Sequence, residues 1–179
     1  MTSLFTSVEK TAHAAAAAFL EKAQIKVGEK VPLSETVKED NPAESIKLAV
    51  SGKTLILGVP AAFSPPCSEE LPGYIAKYDE FKARGISEIY VVSVNDAFVT
   101  KAWKAKLAPE GTPIHFIADD RAAFTASLGL LQDATGLLGS PRSKRYAIVT
   151  ENDVVKHLVV EEDSSKVVST EAGKILALL

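Results

Sequence analysis

Short apolar runs and amphipathic stretches alternate through the middle of the chain. Residues 53–60, KTLILGVP, form a continuous apolar run that ends at a proline, which is typical of a strand covered on both faces. From Cys67 to Arg84 the apolar residues recur three or four positions apart, which predicts a helix that Gly85 ends. These apolar residues are Leu71, Tyr74, Ile75, Tyr78 and Phe81. The pattern predicts one unit of strand, proline-rich loop and helix.

Two further apolar runs continue this alternation. Residues 88–94, EIYVVSV, and residues 114–119, IHFIAD, are predicted strands. The segment NDAFVTKAWKAKL between them is predicted to be a loop followed by a helix. Strands that alternate with helices in this way predict βαβ units and a largely parallel sheet.

The end of the chain follows a different pattern. Only the turn-forming END separates RYAIVT, residues 145–150, from VVKHLVV, residues 154–160, which predicts an antiparallel hairpin at one side of the sheet. A closing helix is predicted within residues 169–179. Together these elements predict an α/β protein with a thioredoxin-like fold, in which helices flank a central mixed sheet.

The first 24 residues differ in composition from the rest. Val8–Ala23 is rich in alanine and is predicted to be a helix, so residues 1–24 are expected to extend a domain that spans residues 25–179. A targeting segment is the alternative, although residues 1–24 contain two glutamates and no arginine. Residues 25–37, IKVGEKVPLSETV, are expected to form a first strand and a loop, broken by Gly28 and Pro32.

Composition and charge limit the range of possible functions. The 179 residues are 46% hydrophobic and 24% charged, which suits one compact domain. The formal net charge is −3, and the sequence contains no cluster of basic residues that would bind a phosphate backbone. Nucleic acid is therefore not an expected partner. No apolar run approaches the roughly 20 residues that cross a bilayer, and no membrane association is expected.

The chain contains one cysteine, so it cannot form an intrachain disulfide. A reducing compartment is therefore expected, with the cytoplasm preferred and the mitochondrion or peroxisome as alternatives. The ending Ala177-Leu178-Leu179 differs from a Ser-Lys-Leu peroxisomal signal.

That cysteine, Cys67, lies in VPAAFSPPCSEELPG, residues 59–73, which does not look like core sequence. If a helix begins there, its free N–H groups and its dipole favour the thiolate, the reactive form of cysteine. Ser64 then directs its hydroxyl at the sulfur or at an oxygen bound to it. The alternative is an inert cysteine at a helix start that Ser64 merely caps. Glu69 and Glu70 suit a helix start but disfavour a thiolate, so a cation is needed nearby.

The spacing of Pro60, Ser64 and Cys67 resembles the P-x-x-x-[T/S]-x-x-C signature of peroxiredoxins. The stretches GVPAAFSPPCSEELPGYI, SVNDAFVTKAW, ADDRAAFTASLGL and RSKRYAIV resemble the type II, peroxiredoxin-5-like subfamily in order, from about residue 25 to the end. The resemblance implies that Cys67 is the peroxidatic nucleophile, Ser64 its hydroxyl partner, Pro60 the shield of the pocket and Arg145 the cation. Arg142, expected to be solvated in a polar loop, and Arg121, expected at the surface before a helix, are the competing cations.

The sequence departs from this family in two ways. CSEELPG is one residue shorter than in many relatives and lacks their histidine, and Val91 and Val92 stand where many relatives have a second cysteine. A thiol from outside the chain must then resolve the oxidised Cys67.

The resemblance implies a thiol peroxidase that reduces hydrogen peroxide and alkyl hydroperoxides without metal, haem or flavin. Glutathione with glutaredoxin, or thioredoxin, is the expected reductant, and a homodimer with its interface near the active-site loops is the expected assembly. The rival hypothesis is a redox-sensing or holdase-like interaction protein that Cys67 oxidation switches. A thiol-disulfide oxidoreductase normally needs a C-x-x-C pair, which is absent.

The remaining candidate residues have structural interpretations. His13, His115 and His157 lack the spacing of metal ligands, so no metal site is expected. Trp103 is expected to pack in the interior. Asn95 and Asp96 are expected to form a turn, with a role in shaping the pocket as the alternative.

Overall fold

A computed structural model describes residues 23–179. Within this range the strands are β1 Lys38–Glu39, β2 Lys53–Val59, β3 Ile86–Ser93, β4 His115–Ala118, β5 Leu131–Gln132, β6 Arg142–Ser143, β7 Tyr146–Glu151 and β8 Val154–Val160. The helices are α1 Pro65–Ala76, α2 Tyr78–Ala83, α3 Ala97–Leu107, α4 Ala123–Ser127, α5 Thr135–Leu138 and α6 Ala172–Leu176.

Six strands form the central sheet in the order β1-β4-β3-β2-β7-β8. Strands β2, β3 and β4 run parallel, whereas β7 is antiparallel to β2 and β8 is antiparallel to β7. The βαβ units and the hairpin at one side of the sheet are therefore confirmed. Strands β5 and β6 form a separate two-stranded sheet.

Strand β2, near the centre of the sheet, is buried on both faces, as its unbroken apolar run predicts. Leu55, Leu57 and Val59 point into a cluster that includes Cys67 and residues of α1, α2, α3 and α6. Ile56, from the other face, packs in a second cluster that includes Phe124 of α4 and residues from the start of the described chain. The thioredoxin-like fold, with a mixed sheet between helices, is thus observed.

Two predictions about secondary structure were wrong. The single helix predicted from Cys67 to Arg84 is two helices, which are separated at Lys77, whose φ of −98° and ψ of 12° depart from helical geometry. The first strand predicted in residues 25–37 is reduced to isolated bridges at Lys30 and Val37. The helix predicted over Val8–Ala23 lies outside the described residues, apart from its last residue, which is not helical.

Candidate active site

The loop between β2 and α1 shapes the candidate site. It runs from Pro60 to Ser64 and turns sharply at Phe63. The φ of Phe63 is 63°, in the left-handed region that residues other than glycine rarely adopt. The segment that follows β3 also holds the loop, because the side-chain oxygen of Asn95 accepts a hydrogen bond of 3.0 Å from the Ala62 amide. Asn95 therefore does more than form a turn, whereas Asp96 caps α3 by accepting a bond from the Val99 amide.

Cys67 is the third residue of α1 and is completely buried. It faces the sheet and packs in the same apolar cluster as Val59, Leu71 and Trp103. From the sequence, Cys67 was not expected to lie in the core. That expectation is wrong, because its side chain is part of the hydrophobic core. Of the polar residues around it in the sequence, Glu69 lies on the exposed side of the same helix, whereas Glu70 is buried.

Ser64 is the N-cap residue of α1, yet its side chain makes no capping hydrogen bond. Its hydroxyl is buried and has no hydrogen-bond partner among residues 23–179. Most buried polar atoms have such a partner, so an unpaired hydroxyl beside a cavity has an unused donor. The alternative in which Ser64 merely caps the helix is contradicted.

Arg145 is the cation that meets the cysteine. Its guanidinium is completely buried, and Nη2 donates to Cys67 Sγ at 3.3 Å. Nη1 is paired with a carboxylate oxygen of Glu70, and Nε donates to the Ser164 carbonyl at 3.2 Å. Burial alone lowers the pKa of Arg145, but Glu70 and Cys67 outweigh burial and raise it, so the guanidinium stays charged. A permanent positive charge therefore lies 3.3 Å from the sulfur.

Sheet pairing brings Arg145 to this position. It immediately precedes β7, which lies beside β2, and Gly58 at the end of β2 pairs with Tyr146. A side chain at Gly58 would overlap the ring of Tyr146, so glycine permits this close approach.

The competing arginines lie elsewhere. Arg121 is exposed, as expected. Arg142 is not solvated, contrary to expectation: it is half-buried and donates to the carbonyl of Val94 at 2.6 Å and to that of Leu138 at 3.2 Å. It ties the α5 loop to the end of β3 and has no described contact with Cys67.

Glu70 is the functional candidate that the sequence analysis missed. The sequence analysis considered only the effect of its negative charge on the helix start and on a thiolate. In the structure Glu70 is buried and forms an ion pair with Arg145. Its Oε1 also accepts a bond of 2.8 Å from the hydroxyl of Thr170. Burial raises the pKa of Glu70 despite the opposing effects of Arg145 and Thr170. Its position three residues after Cys67 on one helix was the available signal, because residues three apart share a helix face.

A cavity of about 700 Å³ opens beside these residues. Of the predicted site residues, Pro60, Ser64 and Arg145 line it, and Cys67 contacts Arg145 without lining the cavity itself. Apolar side chains of Pro65, Leu137 and Leu138 form much of its wall. Three of the four predicted residues thus line one cavity, and the fourth, the buried Cys67, contacts the arginine in its wall.

The other candidates are structural. Trp103 is 1% exposed, as expected of a packing residue, and donates to the Ser68 hydroxyl at 3.1 Å. His115 is held between Glu39 and Glu88 at 3.0 and 3.1 Å. Residues 23–179 contain no group of three or more histidine, cysteine or acidic side chains arranged to hold a metal ion. His13 lies outside the described residues.

Within the described part of the chain, no helix has the length and apolar character needed to cross a bilayer.

Comparison with known proteins gives consistent matches. Residues 26–176 match the Redoxin family. The chain is 46% identical over 156 residues to peroxisomal membrane associated protein 20 of Schizosaccharomyces pombe, covering 87% of this chain and 99% of that protein. It is similar to reduced Prx3 of Vibrio vulnificus in complex with hydrogen peroxide, with a TM-score of 0.77, 38% identity and coverage of 87% and 99% of the two chains. Peroxiredoxin 5 of Alvinella pompejana matches with a TM-score of 0.77, 32% identity and coverage of 86% and 96%.

Proposed function

Since this chain belongs to the peroxiredoxins of the Redoxin family, in the single-cysteine, peroxiredoxin-5-like group, and is a thiol-dependent peroxidase, we propose that Cys67 is its peroxidatic nucleophile. The observation that carries this assignment is the 3.3 Å contact between Arg145 Nη2 and Cys67 Sγ next to a cavity. Cys67 is the only cysteine in the sequence, so the chain has no other thiol for this role.

In the proposed reaction the Cys67 thiolate attacks the terminal peroxide oxygen. A bond forms between sulfur and that oxygen, which keeps its hydrogen, and the O–O bond breaks. The departing oxygen leaves with the electron pair and gains a proton, so the products are a sulfenic acid and water or an alcohol. Arg145 and the unpaired hydroxyl of Ser64 stabilise the charge that develops on the departing oxygen. Pro60, buried at the cavity wall, keeps bulk water from the sulfur.

We assign both hydrogen peroxide and alkyl hydroperoxides as substrates. The similar Prx3 of Vibrio vulnificus forms a complex with hydrogen peroxide in its reduced state. The cavity here, at about 700 Å³, is far larger than hydrogen peroxide, and Leu137 and Leu138 give it an apolar wall for an alkyl chain.

An external thiol completes the proposed cycle, because the chain has no second cysteine. Glutathione with glutaredoxin, and thioredoxin, are the two candidate reductants. Steady-state assays with each reductant distinguish them, and repeated turnover with either one also separates an enzyme from a sensor that is oxidised once.

We propose that the protein assembles as a homodimer through the surface beside the pocket. Phe63, Phe98 and Leu137 are 51%, 69% and 87% exposed. Phe63 precedes Ser64, Leu137 lines the cavity, and Phe98 is close in sequence to Asn95, which holds the active-site loop. Large exposed apolar side chains at one region mark an interface. Sedimentation of the wild type and Phe98→Ser tests this assembly, since the variant is expected to be monomeric.

The compartment is a separate proposal. The name of the Schizosaccharomyces pombe relative refers to the peroxisomal membrane, which favours the peroxisome as the first alternative to the cytoplasm. Imaging of the tagged full chain beside a peroxisomal marker decides between them.

The direct test of the assignment is a steady-state peroxidase assay of the wild type and Cys67→Ser. The serine variant is expected to fold and to lose all turnover, because a serine hydroxyl is a far weaker nucleophile than a thiolate. Turnover by the variant would show that another group attacks the peroxide.

A further inference from the structure

Thr170 joins two carboxyl groups through a single hydroxyl. Its Oγ1 lies 2.8 Å from Oε1 of Glu70 and 2.9 Å from Oε1 of Glu161. A hydroxyl carries one proton, so it either shares that proton between the two carboxyl groups in a bifurcated bond or gives it to one of them. A proton on one of the two carboxyl groups turns both contacts into full hydrogen bonds.

The surroundings assign this proton to Glu70. Glu161 Oε1 also accepts bonds of 2.8 and 2.7 Å from the amides of Val168 and Thr170. Burial opposes the ionisation of Glu161, but these hydrogen bonds outweigh burial and lower its pKa. Burial raises the pKa of Glu70. When Glu70 is protonated, it donates from Oε1 to the Thr170 hydroxyl, and that hydroxyl donates to Glu161.

One buried cation faces two acidic groups at this point. Arg145 contacts Glu70 through Nη1 and Cys67 through Nη2. A buried anion without a partner is costly, so a single guanidinium compensates either the thiolate or the Glu70 carboxylate.

The remaining acidic groups that face Glu70 do not take this proton. Tyr74, on the same helix, donates to the Thr170 carbonyl and stays neutral, since burial raises its pKa well above the usual range. Glu171 is exposed and acts on Tyr74.

We propose that Glu70 holds the proton that Cys67 gives up on ionising and releases it when the peroxide bond breaks. The proposal rests on the assignment of Cys67 as the nucleophile. When the thiolate becomes a neutral sulfenic acid, the departing oxygen gains a proton and Glu70 loses one. Glu70 then becomes the anionic partner of Arg145, so the total charge of the buried group stays constant. Glu70 acts through Arg145 and is a positioning residue that also stores a proton.

The test counts the protons taken from solution in a single turnover. Wild type, Glu70→Gln and Glu69→Gln react with one equivalent of hydrogen peroxide in weak buffer that contains a pH indicator. Glutamine keeps an acceptor for Arg145 but has no proton to release, so Glu70→Gln is expected to take up one more proton per site than the wild type. Glu69, its exposed neighbour, is the matched control, and its variant is expected to give the wild-type count.

Intact mass of the same samples separates two kinds of failure. A wild type that gains no oxygen at Cys67 would overturn the nucleophile assignment and this proposal with it. Full oxidation with equal proton counts in all three proteins would overturn the role of Glu70 alone.

Infrared difference spectra keep the proposal testable if Glu70→Gln does not fold. Oxidation of the wild type and of Glu69→Gln is expected to remove one protonated-carboxyl band. Spectra without that loss would contradict the proposal.

Discussion

The guanidinium of Arg145 donates to the sulfur of Cys67 at 3.3 Å, although 78 positions separate the two residues in the chain. The contact depends on the pairing of β7 with β2, because Arg145 precedes the first of these strands and the loop to α1 follows the second. It therefore forms only in the folded protein, and a chain with this sheet disrupted loses the cation at the sulfur.

Replacement of Arg145 is expected to lower the rate of peroxide reduction in two steps. Arg145→Lys keeps the charge but loses the planar fork that contacts Glu70 and Cys67 together, so it is expected to be impaired. Arg145→Ala is expected to lose about 100-fold or more in kcat/KM. It also removes the guanidinium from Glu70 and Cys67, two buried acidic groups, so the free energy of unfolding is expected to fall.

Stopped-flow oxidation and urea unfolding measure these two effects. Arg121→Ala, at an exposed arginine, is the control and is expected to match the wild type in both. Wild-type peroxide rates in Arg145→Ala would transfer the role to another cation.

Ser64→Ala is expected to impair peroxide reduction without weakening α1. Its hydroxyl makes no cap bond, so the free energy of unfolding is expected to change by less than about 0.5 kcal/mol. Loss of one donor to the departing oxygen is expected to cost about 100-fold in rate. Asp96→Ala removes a real helix cap and is expected to cost about 1 kcal/mol in stability. A stability loss in Ser64→Ala equal to that of Asp96→Ala would restore the capping role.

His115 is expected to make stability depend on pH. Hydrogen bonds to Glu39 raise the pKa of His115 above 6.5, against the effect of burial, and Glu88 adds to the rise. Both ring nitrogens face carboxylates, so only the charged imidazole donates to both. This stabilisation is complete below the ordinary pKa and is lost as the pH rises through the higher folded value.

Thermal unfolding of the wild type and His115→Gln across this pH range checks that sign. The Tm of the wild type is expected to exceed that of the variant most at about pH 6, below the ordinary pKa of histidine. A difference in Tm that grows as the pH rises would contradict the assignment. Lys104, which lies 3.9 Å from Glu39, is the other charge at this cluster, and Lys104→Gln serves as its control.

Removal of residues 1–24 is expected to leave peroxidase turnover within a few fold. The Redoxin match begins at residue 26, and the first amide of the predicted domain, that of Ile25, already bonds to the Leu128 carbonyl. Steady-state turnover of the truncated and full chains measures the effect. Loss of activity or folding would show that the extension completes the core or the dimer.

Much of the fold followed from the sequence because its signals are local. The apolar run of β2 and the END turn predicted a buried strand and a hairpin, and both are observed. The helix break at Lys77 was missed because the apolar period continues across it from Ile75 to Tyr78, whereas the break lies in the backbone angles of Lys77.

The site was predictable only in part, for a related reason. The motif spacing identified Pro60, Ser64 and Cys67, which belong to one loop and helix start. Thr170 and Glu161 carried no local signal, because they come from the segment between β8 and α6 and meet Glu70 only through the fold. The contact between the buried Glu70 and Arg145 likewise depends on the fold, because Arg145 comes from the segment just before β7.

Intact-mass analysis after one equivalent of peroxide tests the central claim most directly. The wild type is expected to gain one oxygen atom at Cys67, and with glutathione present a mixed disulfide at the same residue. Cys67→Ser is expected to gain neither. A wild-type chain that consumes peroxide while Cys67 stays unmodified, or a Cys67→Ser variant that reduces peroxide at the wild-type rate, would contradict the account.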